Sequence, residues 1–208
     1  MNDPVLELHR QGNATPIGTN DNWQTDEAEV EATNLAPTDP RESAIVATLN
    51  PGNYTAIMYG KNGEVGIGLV EIYDLDTDAA SALRNLSARA FVESNDNVLI
   101  GGFIAGPAET GTTRIVVRAI GPSLKSQIPQ ALDDTTLEVV DANGTPTTND
   151  DWEQSSDAAE IQQSGLAPTH PLESAVLLPA LSAGPHTAIV RGKGNPNGVG
   201  VVEIYNLQ

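Results

Sequence analysis

Short runs in which apolar and β-branched residues alternate with polar ones recur along the chain. Each run is bounded by turn residues, and the period of two predicts half-buried β-strands. Early in the chain the pattern predicts strands over Val5 to Arg10, Ser43 to Leu49, Tyr54 to Gly60 and Gly68 to Leu75. Late in the chain it predicts Leu137 to Asp141, Ser174 to Leu181, His186 to Arg191 and Gly200 to Leu207. Three more fall between: Leu86 to Glu93, Asn97 to Ala105 and Thr113 to Ile120. Pro51-Gly52 predicts a type II turn, because proline presets one central residue and glycine supplies a positive φ at the next.

The early and late strand sets are copies of each other. Thr19-Asn20-Asp21-Asn22-Trp23 returns as Thr148-Asn149-Asp150-Asp151-Trp152, and Leu35-Ala36-Pro37-Thr38 as Leu166-Ala167-Pro168-Thr169. Glu42-Ser43-Ala44 returns as Glu173-Ser174-Ala175, Gly60-Lys61 as Gly192-Lys193, and Val70-Glu71-Ile72-Tyr73 as Val202-Glu203-Ile204-Tyr205. Ordered matches at a steady offset of about 130 residues mark an internal repeat. The chain therefore divides into A1 (1–75), a linker (76–83), and a B segment followed by A2 (84–208), with B present once. Met1 aligns with Leu132, inside the continuous run from B into A2. A B-like segment is expected ahead of A1, so either the chain is cut from a longer B-A-B-A array or A1 finds its missing strands elsewhere.

One short helix per A copy is predicted. Asp26 and Asp157 stand at its start with Glu29 and Glu160 three residues later, a capping-box spacing. Asn34 and Gly165, the residue types that most readily close a helix in the left-handed conformation, mark its end, and Pro37 and Pro168 prevent continuation. The predicted fold is all-β: repeated antiparallel β-sandwich modules with one short helix per A copy. B plus A2 offers about seven strands, enough for one sandwich, whereas A1 offers about four and carries an open edge that invites pairing from another chain.

The 208 residues carry 28 Asp plus Glu against 10 Lys plus Arg, a net charge of −18. So acidic a surface repels phosphate backbones and anionic headgroups, which argues against nucleic acid and membrane surfaces as partners. No apolar run approaches the roughly 18 residues that span a bilayer, and no charged-then-apolar leader opens the chain. The absence of cysteine excludes disulfides, thiolate metal sites and cysteine nucleophiles. Half of the basic residues, Arg84, Arg89, Arg114, Arg118 and Lys125, lie between the two acidic A copies, where B could pack between acidic partners.

Three Asx triplets, Asn20-Asp21-Asn22, Asn95-Asp96-Asn97 and Asn149-Asp150-Asp151, gather oxygen ligands suited to calcium. The same residues also cap backbone turns. The candidate calcium ligands are Asp21, Asp150, Asp151 and Asp96. Trp23 and Trp152, the only tryptophans, follow two of the triplets and serve either as core anchors or as sugar-stacking platforms. Glu71 with Glu42, and Glu203 with Glu173, could form carboxylate pairs of the glycosidase kind, or they could pair with Arg89, Arg114 or Arg118 of B. No histidine recurs between the copies, and Ser43 and Ser174 lack the flanking glycines of a nucleophile elbow. Gly60-Lys61-Asn62-Gly63 and Gly192-Lys193-Gly194-Asn195 lie between strands and read as hairpin turns, not phosphate loops. No catalytic residue is assigned.

Val98-Leu99-Ile100-Gly101-Gly102-Phe103-Ile104, then Arg118-Ala119-Ile120-Gly121-Pro122-Ser123-Leu124, resembles a tandem β-sandwich repeat of large exported bacterial surface proteins, a repeat with no settled biochemical role. Asn149-Asp150-Asp151-Trp152 and Val202-Glu203-Ile204-Tyr205 extend the resemblance through A2. The hairpin from Gly184 to Tyr205 also looks like the end of bacterial pre-peptidase C-terminal domains. The resemblance implies export, tandem arrangement and a structural or adhesive role at the cell surface or outside it. The expected protein is therefore non-enzymatic and self-assembles through open edge strands into a fibre or surface layer, its partner another copy of itself. The alternative is a calcium-assisted carbohydrate-binding accessory module that recognises surface glycans.

Overall fold

A computed structural model describes residues 1–76, 83–106 and 113–207. The linker expected over 76–83 falls almost wholly outside the described residues. The chain is mostly β, with eleven strands in three antiparallel sheets. Its internal packing divides it into two units, Met1–Ala82 and Leu83–Gln208.

The first unit holds β1 (Pro4–Arg10), β2 (Gly18–Asn20) and β3 (Tyr54–Gly60) in the order β2-β1-β3. Between β2 and β3 lie a 3-10 turn at Trp23–Asp26 and a short helix, α1 (Glu27–Ala32). Two predicted strands are absent here. Residues 43–49 and 68–75 form no β-ladder, and every residue from 65 to 76 is exposed. Their sequences alternate as strands should, but a strand needs a neighbour to take its backbone hydrogen bonds. Among the described residues of the first unit, none pairs with either segment.

The second unit contains β4 (Asn85–Val92), β5 (Leu99–Ala105), β6 (Ile115–Ile120), β7 (Thr135–Val140), β8 (Pro146–Asn149), β9 (Ser174–Leu178), β10 (Gly184–Gly192) and β11 (Gly198–Asn206). One sheet runs β5-β10-β7-β8 and the other β4-β11-β6-β9. Their inner faces share one core, in which Val117 and Ala119 of β6 and Val202 and Ile204 of β11 pack with Leu137, Val139, Ala188 and Val190. This is β-sandwich-like packing, two sheets whose inward residues alternate with outward ones along each strand. A smaller core lies on the far side of β6 and β9. There Val116, Ala175 and Leu177 are covered by Trp152 and by Ile161 of the second helix, α2 (Ala158–Gln163). Strands β2 and β8 are short, polar edge strands that the apolar alternation does not signal.

The helix ends behave as predicted, but the starts differ. Asn34 has φ 58° and Gly165 has φ 74°, each closing its helix in the left-handed region. Asp26 and Asp157 occupy the N-cap positions without a side-chain capping bond, and Glu160 instead pairs with Arg114. The type II turn at Pro51-Gly52 is also not formed, because Gly52 does not take a positive φ.

Candidate functional site

In the second unit, B strands β6 and β4 flank β11, and β6 also joins it to β9. Two carboxylates of A2 hold that arrangement. Glu203 on β11 lies directly opposite Arg118 on β6 and accepts its Nε at 3.0 Å and its Nη2 at 2.5 Å. The guanidinium also donates to the Leu166 carbonyl at 2.8 Å and lies 5.0 Å from the Tyr205 ring centroid. Glu173 is fully buried. Its Oε1 accepts the backbone N–H of Gly121 and of Ser123 and the Ser123 hydroxyl, at 3.2, 3.0 and 2.5 Å. The Ile-Gly-Pro-Ser-Leu stretch thus wraps around one buried carboxylate. These two glutamates bind B rather than form a pair facing a substrate.

The first unit keeps the local frame around both glutamates. Trp23 N–H donates to the Glu42 carbonyl as Trp152 N–H donates to that of Glu173, at 2.8 and 2.9 Å. Ser43 Oγ reaches the Asp21 carbonyl as Ser174 Oγ reaches that of Asp150. Ala44 N–H donates to Asn20 Oδ1 at 3.1 Å, and Ala175 N–H to Asn149 Oδ1 at 2.9 Å. Tyr73 donates to Glu71 at 3.0 Å as Tyr205 does to Glu203. The difference lies in what faces these groups. Glu42 is exposed, and among the described residues its carboxylate accepts only the Asp39 N–H, while that of Glu71 accepts only the Tyr73 hydroxyl. Val70 and Ile72 are 39% and 52% exposed, against 1% and 5% for Val202 and Ile204.

The candidate calcium ligands separate. Asp150 and Asp151 meet Asp134, with a carboxylate oxygen of each within 4.8 Å of the others. Lys193 forms an ion pair with Asp150. Burial raises the pKa of Asp134, with Asp150 and Asp151 adding to the rise and Lys193 opposing it. In the first unit Asp21 pairs with Lys61, whose Nζ is also 3.8 Å from Asp3, and Asn22 stands where Asp151 does. An ammonium is thus a built-in counter-ion at both places. Asp96 is exposed in the turn between β4 and β5, where Asn95 has φ 64°. The repeat sets Asp3 against Asp134, but neither was among the candidate ligands, and the role of the repeated lysines was not read. The signal was present, since Gly-Lys recurs and Asp3 precedes β1 by one residue as Asp134 precedes β7.

Both tryptophans are 8% exposed. Trp152 packs against Val116 and Ile161, and Trp23 Nε1 donates to the Asp39 carbonyl at 3.2 Å. Protein therefore covers the ring faces a sugar would stack on. His186 is buried and stacked on Phe103 with centroids 4.9 Å apart, and His9 pairs with Glu7. Neither neighbours Ser43 or Ser174 in the hydrogen-bond pattern. Among the described residues, no helix is long and apolar enough to cross a membrane. No protein-family model matches the chain, and none of the curated proteins matches it at a significant level.

Proposed function

We propose that this chain is a non-enzymatic structural or adhesive protein of the cell surface or its exterior, in which A1 and A2 are the same sandwich module and A1 is incomplete. It assembles by offering the open half of A1 to a neighbouring chain. The single observation that carries this reading is the segment 64–76. It matches β11 in sequence, most closely over Val70-Glu71-Ile72-Tyr73, forms no β-ladder, and exposes Val65, Ile67, Leu69, Ile72, Tyr73 and Leu75. Contiguous exposed apolar surface of this kind marks an interaction site, and unpaired strand backbone selects a strand as its occupant. A contact between the open half of one copy and a different surface of the next is heterologous, and where its rotation does not close into a ring it extends into a fibre or layer. Sedimentation velocity and electron microscopy of the purified chain test this. Species that grow with concentration are expected, and a monodisperse monomer at high concentration, with and without calcium, overturns the reading.

A second reading, a calcium-assisted carbohydrate-binding module, is favoured by the Asp134, Asp150 and Asp151 cluster. Each of these residues has a buried carboxylate oxygen without a hydrogen-bond partner. A calcium-dependent rise in melting temperature, together with calcium-dependent glycan binding lost in Asp150→Asn with Asp151→Asn, would support that reading.

A further inference from the structure

The incomplete A1 is specific in what it lacks, because A2 displays the same frame filled. Beside β10 lies β5, and beside β11 lie β4 and β6. The first unit has β3 in the place of β10 and the segment 64–76 in the place of β11; among the described residues β3 pairs with β1 on one edge and with no strand on the other, and no strand lies beside 64–76. Three strand positions are therefore open together, and two charged groups mark them. Glu71 lacks the arginine that Glu203 holds, and Glu42 lacks the Gly-Pro-Ser turn that Glu173 holds. The chain supplies one B segment, already engaged by A2, for two frames.

We infer that the open half of A1 is a receptor for a further B-type segment: two strands that flank 64–76, one that flanks β3, an arginine opposite Glu71, and a Gly-Pro-Ser turn on Glu42. Charge complementarity supports this occupant over a generic apolar one. The frame presents Glu42 and Glu71 without cations, while the matching part of B presents Arg118 and a turn of backbone N–H donors. Charge-assisted bonds of this type are stronger and more directional than apolar cover alone. The inference rests on the assembly reading of A1 and names its partner.

The connection between the two is also defined. Met1 N donates to the Ile67 carbonyl at 3.1 Å, and Leu132 N–H donates to the Val199 carbonyl at 3.0 Å, so Met1 stands where B enters A2. The test therefore joins a second copy of residues 83–131 directly ahead of Met1 of the full chain. Hydrogen exchange is then compared between the parent and the extended chain, with the oligomeric state of each. Amides of 43–49 and 64–76 should slow by about 100-fold or more in the extended chain. Glu42→Ala with Glu71→Ala should reverse that slowing by about tenfold or more, which simple apolar cover would not. As a second probe, the isolated 83–131 peptide added to the parent should protect the same amides at one peptide per chain.

If neither the added segment nor the peptide orders 64–76, the inference is wrong, whatever the parent does. It is also wrong if protection is indifferent to the two glutamates. If the parent assembles and the extended chain assembles equally well, the assembly reading stands without this partner. If the parent stays monomeric while the extended chain gains glutamate-dependent protection, the receptor stands and self-assembly falls.

Discussion

Glu42 and Glu173 are each followed by Ser-Ala and have opposite surroundings in space. Removing Glu173 leaves the N–H of buried Gly121 without its acceptor and takes two further bonds from Ser123, at a carboxylate that is itself fully buried. Glu173→Ala should therefore cost about 2–4 kcal/mol of the second unit's stability, the range for breaking a buried, charge-assisted hydrogen-bond set. Glu42→Ala should change stability by less than about 0.5 kcal/mol, as an exposed group does. Urea unfolding of the two variants checks the contrast. Asp134 provides a pH test. Its folded pKa is raised, first by burial and then by Asp150 and Asp151, so the folded form holds its proton more tightly than the unfolded chain. Ionised Asp134 thus opposes folding at neutral pH. That penalty shrinks as pH falls through the raised value and is gone below the unfolded one. Asp134→Asn should accordingly raise the urea midpoint at pH 7 and lose its advantage in acid, below the ordinary carboxylate range.

Strands show most directly that local sequence and secondary structure can part company. Val202-Glu203-Ile204-Tyr205 and Val70-Glu71-Ile72-Tyr73 are identical in sequence, yet the first lies in β11 and the second is in no strand. The alternation gives each segment an apolar face, but only a neighbouring strand turns that preference into a ladder. Backbone amides in β9 and β11 should therefore resist hydrogen exchange close to the global limit of the second unit. Those of 43–49 and 64–76 should exchange faster by at least about 1,000-fold. Mass-spectrometric exchange on the native chain reads both copies in one experiment. Equal protection of the copies would mean that 64–76 is paired in solution. The helices behave more simply, because their ends depend on one residue. Asn34 and Gly165 both take the left-handed region, and a positive φ is a local property that sequence reports well.

The two units should also differ in how they melt. The second brings two sheets around a shared core and adds a smaller one beneath α2. The first has one three-stranded sheet, and its buried apolar residues among those described are Val5, Trp23 and Val30. Since hydrophobic burial dominates stability, calorimetry of the native chain should show two transitions, the first unit unfolding at the lower temperature. The extended chain with a second B segment should raise that lower transition toward the upper one.

Periodicity was enough to read the all-β class, and single-residue preferences were enough to read the helix stops. Each of those depends on side-chain pattern or on the conformational preference of one residue. Other features depended on which groups meet across long separations. Sequence left Glu203 with three candidate arginines, and the β6–β11 register selected Arg118. The Asx triplets suggested calcium ligands, and folding brought Asp134 to two of them while leaving Asp96 alone in a turn. Two predicted strands failed to form although their sequences match those of real ones. An apolar period states which face a strand would bury, but hydrogen bonds between strands must come from a partner. That partner is supplied by the fold, and A1 is the copy in which it is missing.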